Sequence, residues 1–219
     1  MACSQCCGVE QQFNQTEAER ALRRYRRRGP DRTTRILIDD LRAALGAASA
    51  RDLVLLDVGA GIGAIHHELL DGSVSRAIHV DASSAHITAA RAEAERRNHS
   101  ARVDFLRANF VELADTVPTA DLVTLDRVIC CYDDMNGLVT SAASKATRIF
   151  GAVYPRQNTW MRVGITVINL IQRVRRSAFR VFLHDPSSID RVLRDAGMRR
   201  SSVRRTLAWE VVVYARSPG

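Results

Sequence analysis

From residue 53 onward, short apolar runs alternate with longer stretches whose apolar positions recur at helical spacing. Short apolar runs predict buried strands, and helical spacing predicts amphipathic helices. The predicted strands cover residues 53–58, 76–80, 103–106, 122–125, 149–154, 199–205 and 207–215. Because strands and helices alternate, the pattern predicts an α/β fold with parallel β-α-β units, closed by an antiparallel hairpin from the last two strands.

Two helices are predicted ahead of the first strand. The first begins at a capping box formed by Thr16 and Glu19 and continues through an arginine-rich stretch. Further helices are predicted at residues 62–70, 84–98 and 188–196. We therefore expect an N-terminal helical cap segment over residues 1–50 and one α/β domain over residues 51–219.

Residues 158–182 do not fit this alternation, because they are apolar around much of a helix and carry several arginines. We expect a cap insertion near residues 156–183 that roofs a pocket together with the N-terminal helix, and the part of the roof that it forms is expected to be apolar. The apolar side chains of this part are Trp160, Met161, Ile165, Ile168, Leu170, Ile171 and Phe179. Two alternatives are a basic amphipathic helix that makes peripheral contact with a membrane, and a helix packed on the core with solvated arginines.

The first strand leads into a glycine-rich loop, Gly59-Ala60-Gly61-Ile62-Gly63. A tight strand-to-helix turn needs glycine, and a ligand lying against backbone amides leaves no room for a Cβ. The spacing also fits the dinucleotide pattern, so the glycines alone do not choose the cofactor. Asp57 indicates which cofactor binds, because its carboxylate would repel a pyrophosphate and attract the cationic amino group of a methionyl nucleoside.

The remaining cofactor candidates follow the next three strands: Asp81, Ala82, Asn109, Phe110, Asp126 and Arg127. An acid at the position of Asp81 can accept both ribose hydroxyls. The Asn109 amide, beside the apolar ring of Phe110, can meet an adenine amino group. Asp126 and Arg127 end the fourth strand and are expected to face the same crevice.

The order of Asp57, the glycine loop, Asp81 and Asn109 resembles the class I S-adenosylmethionine-dependent methyltransferases. The resemblance implies a Rossmann-like, mostly parallel seven-stranded sheet with S-adenosylmethionine as cofactor. It implies that Asp57 holds the methionyl amino group and that the loop residues Gly59, Ala60, Gly61 and Gly63 cradle the methionine moiety. Asn109 departs from the many members that carry aspartate there. Residues 27–34 and 125–132 also resemble bacterial magnesium-protoporphyrin O-methyltransferase-like proteins.

Methyl transfer from a sulfonium requires the protein mainly to position the acceptor and, where needed, to remove a proton. The candidate bases are His66, His67, Tyr132 and His184. Histidine suits this role because its usual pKa lies near neutrality. Each of the four could equally be a packing, capping or surface side chain.

Net charge and cysteine content add two constraints. The charge of +8 comes almost wholly from arginine, since Lys145 is the only lysine, and it favours anionic partners without choosing among them. Cys3, Cys6, Cys130 and Cys131 could form a zinc site if the N-terminus folds back, but their spacing is atypical, so no metal is predicted. No apolar run is long enough to span a bilayer, and no signal peptide is evident, which predicts a cytoplasmic protein.

The sequence therefore favours an O-methyltransferase acting on a small, largely apolar molecule, for example a tetrapyrrole-like carboxylate. The positive charge keeps a nucleic-acid methyltransferase acting on tRNA as an alternative, although no base-amine signature supports it. An NAD-dependent oxidoreductase and a non-catalytic nucleotide-binding module remain further alternatives at this point. The sequence indicates no oligomeric state.

Overall fold

The computed structural model describes residues 8, 10–46 and 52–216, and within them lies a seven-stranded sheet of order β3-β2-β1-β4-β5-β7-β6. The strands are β1 (Val54–Val58), β2 (Arg76–Asp81), β3 (Val103–Arg107), β4 (Ala120–Asp126), β5 (Ala146–Pro155), β6 (Met198–Arg205) and β7 (Trp209–Arg216). Strands β1 to β5 are parallel, and β7 pairs antiparallel with both β5 and β6. The predicted fold class is confirmed.

Helices cover both faces of the sheet. They are α1 (Gln15–Arg28), α2 (Arg32–Leu45), α3 (Ala64–Leu70), α4 (Ser84–Arg96), α5 (Phe110–Leu113), α6 (Met135–Lys145), α7 (Thr159–Val174) and α8 (Pro186–Asp195). The predicted capping box is wrong, because Asn14 caps α1 by accepting from the Glu17 backbone N–H, while Thr16 lies inside the helix. Helix α6 has no counterpart among the predicted elements, since its small and polar residues leave only a weak apolar stripe.

Helix α2 packs directly on the sheet. Its Leu37 and Leu41 side chains are fully buried against β5 and β7. A Cβ at Gly151 of β5 would lie 2.9 Å from Leu37 Cδ1, so the glycine permits this close approach. The opposite face of the sheet is covered by α6 and α8, with Leu138 and Leu193 in the core. The N-terminal helices are thereby fixed relative to the strand ends.

Helix α7 follows β5 and ends at Val174, so only part of the predicted segment 158–182 is helical. Among the residues described, no helix is long and apolar enough to cross a bilayer. Cys3, Cys6 and Cys7 lie outside the described residues, and Cys130 and Cys131 are free thiols.

Candidate functional site

A cavity of about 360 Å³ lies at the carboxyl ends of β1, β2 and β4. Strand β1 lies between β2 and β4, so the strand order reverses there. The crevice at such a switch point is where open α/β sheets bind ligands, and the volume suits a small molecule. Ten of the predicted cofactor residues line the cavity: Asp57, Gly59, Ala60, Gly61, Asp81, Ala82, Asn109, Phe110, Asp126 and Arg127.

The roof of the cavity comes from α1, the turn that follows it and the first turn of α2. Its residues are Phe13, Glu17, Ala21, Arg24, Tyr25, Gly29, Pro30, Asp31 and Thr34. Of the two segments expected to roof the pocket, the N-terminal helix lines this cavity, whereas none of residues 158–182 does. The periodicity of α7 shows which side of the helix is apolar, but it carries no information about the surface that the helix meets.

The glycine loop forms one wall. Gly59 and Gly61 have φ values of 61° and 57°, and a Cβ on Gly59 would collide with the Val128 side chain. The Gly61 N–H donates to Asp81 Oδ2 at 2.8 Å. Gly63 also has a positive φ, but it begins α3 outside the cavity lining, and a Cβ there would collide with His66. The predicted cofactor role of Gly63 is therefore better described as a packing role.

Gly59→Ala is expected to lower the free energy of unfolding by at least about 1–2 kcal/mol from the left-handed backbone alone, with the Val128 collision adding to it. Urea unfolding measures this difference. Gly72→Ala is the matched control, since its backbone is not left-handed and no atom lies within 4 Å of the added Cβ. Equal stabilities for the two variants would contradict the steric account.

Asp57 lies under the loop, with only 1% of its surface exposed. Its carboxylate accepts from Thr124 Oγ1 at 2.7 Å and faces His66 Nδ1 at 3.2 Å. Burial raises the pKa of Asp57 to about 6. A cationic ligand group nearby would stabilise the ionised form, so the electrostatics suit the predicted role of Asp57 even though both of its oxygens already have partners.

Asp81 is bound to the loop and to a histidine that the sequence analysis missed. Burial alone would raise the pKa of Asp81, but the nearby charge of His86 and a hydrogen bond from the Ser83 N–H outweigh burial and lower it. His86 Nδ1 lies 3.8 Å from Asp81, and His86 Nε2 lies 2.9 Å from Glu17 Oε2. Burial lowers the pKa of His86, but these two carboxylates raise it to about 9. His86 is thus a cation that joins Asp81 to the roof.

His66 and His67 lie beneath the cavity, fully buried, and do not line it. His66 Nδ1 meets Asp57, and His67 Nδ1 lies 3.2 Å from His99 Nδ1. Burial lowers the pKa of His66 to about 3 and that of His67 to about 2. Because a general base must reach the proton that it removes, neither placement suits the predicted catalytic role.

The other two predicted bases lie side by side. His184 does not line the cavity, and its Nε2 bonds to the Tyr132 carbonyl at 2.7 Å, which suits a packing role. Tyr132 does line the cavity, and its hydroxyl donates to Asn109 Oδ1 at 2.6 Å. The Asn109 amide in turn donates to Glu112. This hydrogen bond therefore fixes the Tyr132 and Asn109 side chains relative to each other at one wall of the cavity.

Asp126 and Arg127 join the floor to the roof. Thr34 donates to Asp126 Oδ2 at 2.5 Å, and Arg127 Nη1 lies 3.1 Å from Asp31 Oδ2. Arg127 has a φ of 61°, a conformation that is uncommon for a residue with a side chain and is often found at functional sites. Neither residue stands free for a cofactor. No group of histidine, cysteine or acidic side chains within the described ranges could hold a metal ion.

The family model of the methyltransferase domain matches residues 54–148. The chain is similar in fold to magnesium protoporphyrin IX methyltransferase from Synechocystis PCC 6803 with bound SAH, at 20% identity and a TM-score of 0.73, over 97% of this chain and 100% of that chain. An O-methyltransferase family protein from Burkholderia thailandensis is 18% identical, with a TM-score of 0.70, over 96% of this chain and 63% of that chain. An O-methyltransferase family 2 protein from Planctomyces limnophilus DSM 3776, in complex with apigenin, is 17% identical, with a TM-score of 0.60, over 87% and 63% of the two chains. No curated protein sequence matches the chain.

Proposed function

We propose that the chain, an S-adenosylmethionine-dependent methyltransferase whose residues 54–148 match the model of the methyltransferase domain, methylates a carboxylate or similarly acidic oxygen of a small, largely apolar molecule. The observation that carries this proposal is the roofed end of the cavity. It combines apolar side chains with two arginines, and no free imidazole faces it among the described residues.

The floor of the cavity fits the cofactor. S-adenosylmethionine supplies an electrophilic methyl group when it is bound. Gly59 and Gly61 expose backbone to a methionine moiety, Asp57 offers a buried negative charge to its amino group, and Asp81 offers oxygens to ribose hydroxyls. The match of residues 54–148 to the methyltransferase domain argues against an NAD-dependent oxidoreductase and a non-catalytic nucleotide-binding module. The individual residue roles stay proposals.

The roofed end offers a carboxylate site. Arg24 Nη2 and Arg127 Nη1 both contact Asp31 Oδ2, at 3.0 and 3.1 Å. Arg24 shows no other ion pair among the described contacts, and its side chain is 54% exposed, so its remaining N–H donors can meet a ligand. Guanidinium binds carboxylates in a two-pronged geometry. Tyr25, Pro30, Val128 and Leu138 add apolar surface to the same cavity.

The lack of a free base in the described lining favours an acceptor that ionises by itself. His86 is the only imidazole that lines the described cavity, and it is engaged by Asp81 and Glu17 at the cofactor end. A carboxylic acid, with a pKa near 4, is already ionised at neutral pH and needs no proton removed. Tyr132 is the predicted catalytic candidate that does line the cavity, and we assign it to orienting the acceptor.

Replacing Arg24 by methionine is expected to raise the KM for a carboxylate acceptor by about 10- to 100-fold, the value of one charged hydrogen-bonding contact, with a smaller change in kcat. Arg23→Met is the matched control, because Arg23 pairs with Glu19 and does not line the cavity. Steady-state kinetics at saturating S-adenosylmethionine provide both parameters. An equal rise in KM for both variants would mean that KM depends on the overall positive charge of the protein and not on a carboxylate site at Arg24.

The acceptor class is tested by incubating the full chain with methyl-labelled S-adenosylmethionine and three probes: magnesium protoporphyrin IX, apigenin and bulk tRNA. A methyl ester releases its label in mild alkali, whereas a phenolic methyl ether retains it. We expect alkali-labile label on the carboxylate probe. Label found only on tRNA would overturn the proposal in favour of nucleic-acid methylation, and label found only on apigenin would replace the carboxylate by a phenol.

A further inference from the structure

The large hydrophobic side chains that are exposed in the described part of the chain lie on α7 and on the hairpin next to the N-terminal end of α7. Seven of them are on α7: Trp160, Val163, Val167, Ile168, Leu170, Ile171 and Val174. The eighth is Leu207, at the tip of the β6–β7 hairpin, where Asn158 Nδ2 donates to the Leu207 carbonyl. Trp160, Val174 and Leu207 are 84%, 77% and 87% exposed. These eight side chains form the α7 surface.

Helix α7 is held to the protein along one edge. Ile165 and Gln172 are its buried residues, and Gln172 Nε2 donates to Gln12 Oε1 at 2.7 Å. The Asn169 amide makes two bonds to the backbone of Val181. Ile165 and Gln172 are seven residues apart and so share one side of the helix, which leaves the apolar side turned outward. The exposure of the α7 surface is therefore built into the packing of the helix.

The charged residues around the α7 surface are all positive. Residues 156–184 contain six arginines and no aspartate or glutamate. Arg162 and Arg173 lie on α7, and Arg175 and Arg176 directly follow it; all four are exposed. None of the four makes a salt bridge within the described residues. An apolar helix face flanked by arginine, with tryptophan at one end, is typical of helices that lie in a membrane interface.

We propose that the α7 surface binds the protein to an anionic lipid bilayer, with α7 parallel to the membrane plane. The apolar side chains enter the acyl boundary, and the four arginines contact lipid phosphates. Leu207 adds a second point of insertion from a different element, which suits a flat surface. A second copy of the chain would instead bring like-charged arginines together.

The test is co-sedimentation of the full chain with vesicles of phosphatidylcholine alone or mixed with phosphatidylglycerol. We expect binding to the mixed vesicles, at least tenfold weaker binding to phosphatidylcholine alone, and loss of binding as salt screens the arginines. Leu170→Glu, at an exposed position, is expected to reduce binding at least tenfold. Circular dichroism and S-adenosylhomocysteine titration report whether each variant is folded.

Two double variants with the same change in net charge distinguish lipid binding at the α7 surface from diffuse attraction by the net charge of the protein. Arg173→Glu with Arg176→Glu is expected to lose vesicle binding, whereas Arg20→Glu with Arg27→Glu, on the exposed side of α1, is expected to retain it. Equal loss in both pairs would overturn the proposal in favour of diffuse attraction. Failure of the folded wild-type chain to bind mixed vesicles would also overturn it, and a dimer abolished by Leu170→Glu would assign the surface to a second copy.

Discussion

Asp81→Ala is expected to weaken binding of S-adenosylhomocysteine by about 100-fold or more and to reduce methyl transfer accordingly. A carboxylate that accepts from two ribose hydroxyls contributes about 1.5–3 kcal/mol per bond, and each 1.4 kcal/mol is a factor of ten in Kd. The same substitution leaves the Gly61 N–H without its acceptor and removes one of the two carboxylates that face His86. Isothermal titration calorimetry gives the two Kd values.

The control for this substitution is Asp104→Ala, which removes an exposed acid on β3 that pairs with Arg76 far from the cavity lining. We expect the affinity of this variant to match the wild type. A Kd for Asp81→Ala within threefold of the wild type, in a folded protein, would remove Asp81 from the nucleoside site.

The free energy of unfolding is expected to fall steeply as the pH drops from 6.5. Burial lowers the pKa values of His66, His67 and His79 to about 3, 2 and 3, so the unfolded chain takes up protons before the folded chain does. The stability that these residues contribute is complete above pH 6.5 and is lost as the pH approaches 3. Asp57 acts in the opposite sense, because burial raises its pKa to about 6. For these four groups alone, three protons taken up by the histidines less one for Asp57 give a net uptake of about two protons, which corresponds to a slope near 3 kcal/mol per pH unit between about pH 6 and 4.

Urea unfolding between pH 4 and pH 8 measures this slope, and His79→Leu identifies its source. Both ring nitrogens of His79 lack hydrogen-bond partners in the structure, so leucine removes a titrating group without breaking a bond. We expect the slope to fall by about 1.4 kcal/mol per pH unit. Ile78→Val, a substitution on the same strand that removes no titratable group, should leave the slope unchanged. A slope unaffected by His79→Leu would mean that other groups take up the protons.

The cofactor half of the site was accessible to sequence analysis because its geometry is local. A strand, a glycine turn and a helix follow one another directly, and Asp81 ends the neighbouring strand. His66 and His67 show the limit of this reasoning. Their position just after the loop is visible in the sequence, but the packing of α3 against β1 and β2 turns both rings away from the cavity.

The roof depends on contacts between residues that are distant in the chain. Glu17 meets His86 across 69 positions, and Thr34 meets Asp126 across 92. A helical pattern does not encode such pairs, so α1 and α7 appear equally suited to covering the cavity. The one available signal for His86 is its place in the first turn of the helix that follows Asp81.

The cavity is divided between two stretches of the chain. Its floor lies almost wholly within the matched domain, residues 54–148, whereas its roof is built from residues 13–34, which precede that domain. In the proposed site both stretches shape the acceptor side, since Arg24 precedes the matched domain whereas Arg127 and Tyr132 lie within it. Substitutions within residues 13–34 would therefore alter the roof without altering the glycine loop, Asp57 or Asp81, provided that the contacts of Glu17, Asp31 and Thr34 with the floor are kept.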